Sequence, residues 1–354
     1  NMIVVTLAQG ELSPEAMQTG TVDEREVEAV EVIDGGTEIE MDLATMLPTG
    51  DAEAVRVLRQ PSPSPLVSFR FQLASGAVDD PDGKEGLAAL TAQMVTDAGS
   101  RSDTYADVQA KLFPLAAGVG AQVGKEWTTF AGTVHRDNLG AYWDVVGRML
   151  LEPGFREEDF SRVKTQMLNG IRTGLRAGND EELGKEVLYE RLYAGHPYGH
   201  LSMGHAEAVE ALTLDDVRAF YAEHYTLANL TLGVAGDIPD TDLTEIRTQI
   251  AGTLAARGRA SGATMAAIPA APAPPEDLEV TIIDKPETRA VAISMGHPIE
   301  VTRAHPDFVA LDVVRSWLGE HRNSSAHLFQ RIREVRGMNY GDYAYIEYYP
   351  GGMF

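Results

Sequence analysis

Apolar and polar positions alternate strictly along one early stretch: Val67, Phe69, Phe71 and Leu73 are separated by Ser68, Arg70 and Gln72. A period of two predicts a half-buried strand. The period then lengthens. Glu85–Asp97 has a helical pattern that stops at Gly99. Asp103 is placed to cap a helix running to about Phe113. Val119–Gln122 and Trp127–Val134 read as two strands of a hairpin turning at Gly124-Lys125. Arg136–Leu150 reads as a helix with Leu139, Val146 and Leu150 on its inner side, and Pro153 ends it. Phe160, Val163, Met167, Ile171 and Leu175 define one face of a longer helix, and Glu181–Leu192 a further one. Thr213, with Asp216 three residues on, is a capping-box start. A strand at Asn229–Ala235 and a helix at Asp240–Ala255 follow.

Ala256–Pro275 is rich in Ala, Gly and Pro, the composition of a linker. After it the order restarts: strands at Leu278–Asp284 and Ala290–Met295, a helix at Pro306–Leu318, then a charged helix around Arg333. The strand–turn–helix opening of Phe69–Asp97 recurs at Val291–Leu318, which points to an internal duplication. The predicted class is α+β: two homologous units, each a mostly antiparallel sheet with helices packed on one face, the second unit incomplete. Pro61, Pro63 and Pro65 mark a boundary. The expected divisions are a connector at 1–60, a first domain at 61–255, a linker at 256–277 and the start of a second domain at 278–354.

The length of 354 residues suits two domains, and a 44% hydrophobic content suits a sizeable core. Acidic residues outnumber basic ones, 53 to 29, for a formal charge of -24. Such a surface repels nucleic acid and anionic membranes and attracts basic peptides. Cysteine is absent, so neither disulfides nor thiolate chemistry is available. No apolar run reaches the length of a membrane span. Asn1–Ala8 lacks the basic start of a signal peptide, and the chain stops just after Gly351-Gly352. A longer parent polypeptide is the expectation, with any targeting segment outside this stretch.

The most chemically suggestive segment lies near the end, from Leu328 to Tyr340. Leu328, Ile332 and Val335 share one face of a predicted helix, Gly337 suits its C-cap, and a tyrosine-rich strand is expected over Tyr340–Tyr349. Arg333 and Tyr340 flank the cap. A guanidinium and a phenol both donate hydrogen bonds, which suits a peptide carbonyl or an oxyanion. On spacing alone a solvated charged helix face is the simpler account, because charge runs are usually surface.

This segment resembles the RE-x-RG-x-x-Y signature of the pitrilysin/insulinase (M16) metallopeptidases, which lies in the second of two homologous domains. Further stretches agree in order: Gly76-Ala77-Val78-Asp79, then Lys84-Glu85-Gly86-Leu87-Ala88 before the family's metal helix. His196-Pro197-Tyr198-Gly199 with Gly204 follows, and then Tyr225–Asp237 with Asn229 and Gly236-Asp237. Asn1–Leu7 is similar to the last strand of an upstream M16 unit. In the resembled peptidases an H-x-x-E-H helix holds zinc and supplies the general base. Here the matching positions are Ala89, Ala92 and Gln93, and the register of the third ligand, a glutamate, falls at about Gly170. No Asp or Glu lies between Phe160 and Asn179. Alanine and glycine carry no donor, and an amide is a poor zinc ligand, so no metal is expected in this chain. His196, His200 and His205 are close in sequence, but Pro197 and Gly199 interrupt any helix that would align them.

The resemblance implies the non-zinc half of a paired or tandem peptidase. Zinc would lie in a partner unit, upstream in the same polypeptide or on a separate subunit. Arg333 and Tyr340 would act in trans on the peptide substrate: Tyr340 as donor to the oxyanion, Arg333 as holder of a carbonyl or carboxylate. Alone, the chain would be inactive. A periplasmic or exported bacterial location is implied as well. The alternative is a catalytically inactive structural or binding subunit, similar to the M16-like core proteins of respiratory complexes. A self-sufficient enzyme with a new site has no support in the residues.

Overall fold

The alternating stretch forms the middle of a sheet. In the computed structural model β3 spans Leu66–Leu73, and Val67, Phe69, Phe71 and Leu73 are all buried while Leu66 and Arg70 are exposed. The described residues are 3–8, 55–256, 268–286, 288, 291–303, 305–349 and 352–353. β3 pairs antiparallel with β5 (Thr128–His135) and with β6 (Leu230–Gly236). β2 (Arg56–Pro61) runs parallel to β6, and β4 (Gly120–Val123) pairs antiparallel with β5, giving the order β2-β6-β3-β5-β4.

Helices α1 (Leu87–Asp97), α2 (Tyr105–Leu112), α3 (Leu139–Leu151) and α4 (Glu157–Asn169) follow the predicted order. α5 (Asp180–Leu192), α6 (Ala206–Ala211), α7 (Leu214–His224) and α8 (Asp240–Ala256) come next along the chain. Leu139, Val146 and Leu150 of α3 enter the core with Phe160, Val163, Met167 and Ile171. Thr213 and Asp216 make the capping box. The cap of α2 is Thr104, boxed with Asp107, rather than Asp103. The Asp103 carboxylate instead pairs with Lys111 and Arg148.

A second sheet has the order β7-β1-β8, from Glu279–Asp284, Ile3–Ala8 and Ala292–Gly296. β1 runs parallel to β7 and antiparallel to β8. β6 stands in that same relation to β2 and β3 in the first sheet. α5 packs across β1 and β8, and its Leu188, Tyr189 and Leu192 gather Tyr193, Tyr198, Ile283 and Tyr349 into a second core. α9 (Phe308–Gly319) follows, and Val313 and Trp317 on it are exposed. Part of the predicted linker, residues 257–267, lies outside the described residues; 268–275 has no regular structure, though Ile268 and Ala271 touch the second core.

Two local expectations near the end fail. Phe329–Glu334 is a π-helix, so the amide of Val335 donates to Gln330 rather than to the residue four back. The wider turn rotates the faces: Phe329 is buried and Val335 exposed, so Leu328, Ile332 and Val335 do not share a core face. The strand expected over Tyr340–Tyr349 is reduced to β9 (Tyr348–Tyr349), paired with β10 (Gly352–Met353). Residues 341–347 have no ladder, because Tyr343 and Tyr345 make their contacts through side chains with α5.

Candidate functional site

α1 is positioned by a carboxylate that the sequence reading passed over. The amides of Gly86 and Ala88 each donate to Asp80 at 2.7 Å, satisfying donors that a helix start leaves open. Burial pushes the Asp80 carboxyl up to about 7 against the pull of those two amides. Gly86 has φ of 99°, and a Cβ there would lie 2.5 Å from the carbonyl oxygen of Met203. Glycine is required at that position.

The helix so placed presents none of the metal chemistry of the resembled peptidases. Ala89 and Ala92 are packed into the apolar core. Gln93 lines a cleft of about 340 Å³ together with Asp97, Gln166 and Met203. A side chain at Gly170 would begin 3.2 Å from the Cε of Met203, so a thioether fills the space beside it. Of the four positions only Gln93 carries a donor atom, and the residues present do not fit a zinc ion. The histidines are dispersed. His196 bonds to the carbonyl of Pro269, His200 to those of Leu201 and Ala77, and His205 to Glu190. Among the described residues no three His, Cys, Asp or Glu side chains converge as a metal site would need.

Arg333 and Tyr340 do come together. Gly337, at φ of 60°, reverses the chain, and its amide donates to the carbonyl of Arg333 at 2.8 Å. The Asn339 side chain accepts from the amide of Tyr340 at 2.7 Å and donates to Asp342 at 2.8 Å. The turn folds Tyr340 back so that the Arg333 guanidinium lies 3.9 Å from its ring centroid and 4.5 Å from that of Phe329. Such stacking holds the guanidinium plane while leaving its edge donors open. Tyr340 is 77% exposed, and its hydroxyl has no hydrogen-bond partner among the described residues. Two donors thus project from one turn.

Behind this turn the tyrosine-rich segment is clamped to α5. The Lys185 ammonium bonds to the Tyr343 hydroxyl and to Glu181 and Glu182, and it lies 5.1 Å from the Tyr343 ring centroid. Tyr189 and Tyr345 share a hydrogen bond of 2.5 Å, and the Tyr189 hydroxyl donates to Glu347 at 3.0 Å. Glu186 is pushed up to about 7 by burial, with Glu182, Glu347 and Glu190 adding repulsion and Lys125 opposing it. Lys125 is itself held below its usual range by burial, and its ammonium donates to the carbonyl of His200. None of this seam was singled out from the sequence. Its only signal there was the density of tyrosines.

A mixed sheet flanked by helices, three further strands that repeat its directions, a capped helix α1 without a metal site and an Arg–Tyr turn define an α+β protein. The family model described as the Peptidase M16 inactive domain matches residues 211–354. The chain is similar to the uncharacterized zinc protease YmxG of Bacillus subtilis, at 24% identity over 72% of this chain and 59% of the relative. An uncharacterized zinc protease of Streptomyces coelicolor is also 24% identical, over 85% of this chain and 63% of the relative. The chain therefore spans about three-fifths of the length of these curated relatives. The crystal structure of a peptidase M16 inactive domain from Pseudomonas fluorescens superposes with a TM-score of 0.71 at 25% identity, covering 86% of this chain and 71% of that one.

Proposed function

We propose that this chain is the non-zinc half of a paired or tandem M16 peptidase, presenting Arg333 and Tyr340 to a peptide held at the zinc of a partner unit. The observation that carries this reading is the turn itself: Arg333 is stacked on Tyr340 at 3.9 Å, and neither side chain has a hydrogen-bond or ion-pair partner among the described residues. Polar donors held in place and left unpaired suit charge that develops elsewhere. The Tyr340 hydroxyl would donate to a carbonyl oxygen as it gains negative charge. The Arg333 fork would orient a neighbouring carbonyl or carboxylate. Zinc, supplied by the partner, would polarise the scissile carbonyl and the attacking water. The names of the relatives, zinc proteases and an inactive domain, agree with such a division of labour. An exported location in a bacterium is part of the same proposal.

Reconstitution with a zinc-bearing M16 unit tests it. Peptide hydrolysis is expected from the mixture and not from this chain alone. A zinc-bearing unit that is equally active with and without this chain would support the inactive structural-subunit reading.

A further inference from the structure

Tyr340 stands on a stretch of chain whose backbone is not tied to other backbone. The amides of Gly337 and Met338 donate back into the helix, to the carbonyls of Arg333 and Ile332 at 2.8 and 3.2 Å. The next backbone anchor is the amide of Ala344, which donates to the carbonyl of Gly319 at 2.8 Å. Between these anchors no backbone–backbone hydrogen bond forms among the described residues.

The Asn339 side chain fills that gap. Its Oδ1 accepts from the amide of Tyr340 at 2.7 Å and from that of Gly341 at 3.4 Å, the second of which closes an Asx turn. Its Nδ2 donates to the carbonyl of Gly341 at 3.0 Å and to Oδ1 of Asp342 at 2.8 Å. One planar amide thus holds Tyr340, Gly341 and Asp342 in register. Oδ2 of Asp342 is buried with no hydrogen-bond partner among the described residues, so the position of this carboxylate depends on Asn339. An aspartate at position 339 would still take the two backbone amides but would set a carboxylate against Asp342, and an alanine would make none of the bonds. Tyr340 is otherwise held through its ring, 3.9 Å from the Arg333 guanidinium. Stacking constrains the plane of a ring more than the direction of its hydroxyl.

We propose that Asn339 is the positioning residue of the Arg–Tyr turn: its side chain aims the Tyr340 hydroxyl, and it acts on the reaction only through Tyr340. This role rests on Tyr340 donating to the reacting carbonyl, and the two stand apart in the test.

The test is a double-mutant cycle in the reconstituted pair, read as kcat and KM for a fluorogenic peptide that the unaltered pair hydrolyses. Asn339→Ala is expected to lower kcat about 10- to 100-fold, the effect of a misplaced group, with KM little changed. Added to Tyr340→Phe, it should cause no further fall. Exchanging the two side chains, Asn339→Asp with Asp342→Asn, restores a donor and an acceptor between these positions. The exchange should recover most of the kcat that Asn339→Asp alone loses. In the isolated chain, with arginine labelled for NMR, the Arg333 Nε–H resonance carries the ring-current shift of Tyr340. Asn339→Ala should move it toward its place in Tyr340→Ala. Unaltered kcat in Asn339→Ala, where Tyr340→Phe lowers it, would overturn the proposal and leave the donor role of Tyr340 standing. Equal losses from Asn339→Ala with and without the Tyr340 hydroxyl would also overturn it, since additive effects mean that the two residues do not act through one another. An unmoved Arg333 resonance would do the same. Unaltered kcat in Tyr340→Phe itself would overturn both readings.

Discussion

Glu186 shows how residue chemistry fixes the seam under the Arg–Tyr turn. Its folded state holds a proton more tightly than the unfolded chain does, because burial and three neighbouring carboxylates outweigh the attraction of Lys125. Its contribution to stability is therefore present below about pH 4.5 and is lost as pH rises through about 7. Glu186→Gln keeps the volume and removes the charge. The variant should match the parent near pH 5 and exceed it at pH 8 by on the order of 1–3 kcal/mol. Thermal melts at both pH values check this, and a variant less stable at pH 8 would contradict it. Residues of this kind were not legible in the sequence. Glu186 becomes unusual only through what α5 is packed against, whereas Ala89, Ala92 and Gly170 declare their missing donors as soon as the register is known.

At the scale of elements, legibility followed one-sided burial. β3 could be read because each second side chain enters the core, and α7 because Thr213 and Asp216 cap it locally. The Tyr340–Tyr349 stretch misled because its tyrosines bond to Lys185 and Tyr189 on a helix distant in sequence. The Leu328–Val335 face misled because the π-helix changes the period. α1 offers two tests. Gly86→Ala forces a Cβ onto the Met203 carbonyl in a left-handed conformation and should cost at least about 1 kcal/mol in urea unfolding. Installing histidines at Ala89 and Gln93 should not create a zinc site, since Ala92 and Gly170 still lack carboxylates. The bulk added at buried Ala89 should cost about 1–3 kcal/mol. Stoichiometric zinc in that double variant, by elemental analysis after mild chelation, would contradict this account of α1.

The whole molecule repeats one plan: β6 between β2 and β3, and β1 between β7 and β8, with the same strand directions. The order of predicted elements suggested a restart after 275, but it assigned Asn1–Leu7 to a connector or an upstream unit; the structure places β1 between β7 and β8, a neighbourhood that leaves no local pattern because the strands are far apart in sequence. The proposed division at 256–277 predicts that limited trypsin digestion cuts first at Arg257 or Arg259, with the two fragments held together through β1 between β7 and β8. Resistance across that stretch would argue against it. The central claim is that the Arg–Tyr turn serves a zinc-bearing partner, and the most direct measurement is kcat for peptide hydrolysis by the reconstituted pair carrying Tyr340→Phe. The ring and its stacking on Arg333 remain while one hydroxyl donor is lost. Assembly should be normal and kcat should fall about 100- to 1000-fold, with Arg333→Lys chiefly raising KM. A pair that turns over at the unaltered rate with both substitutions in place would contradict the account and leave the turn a structural cap.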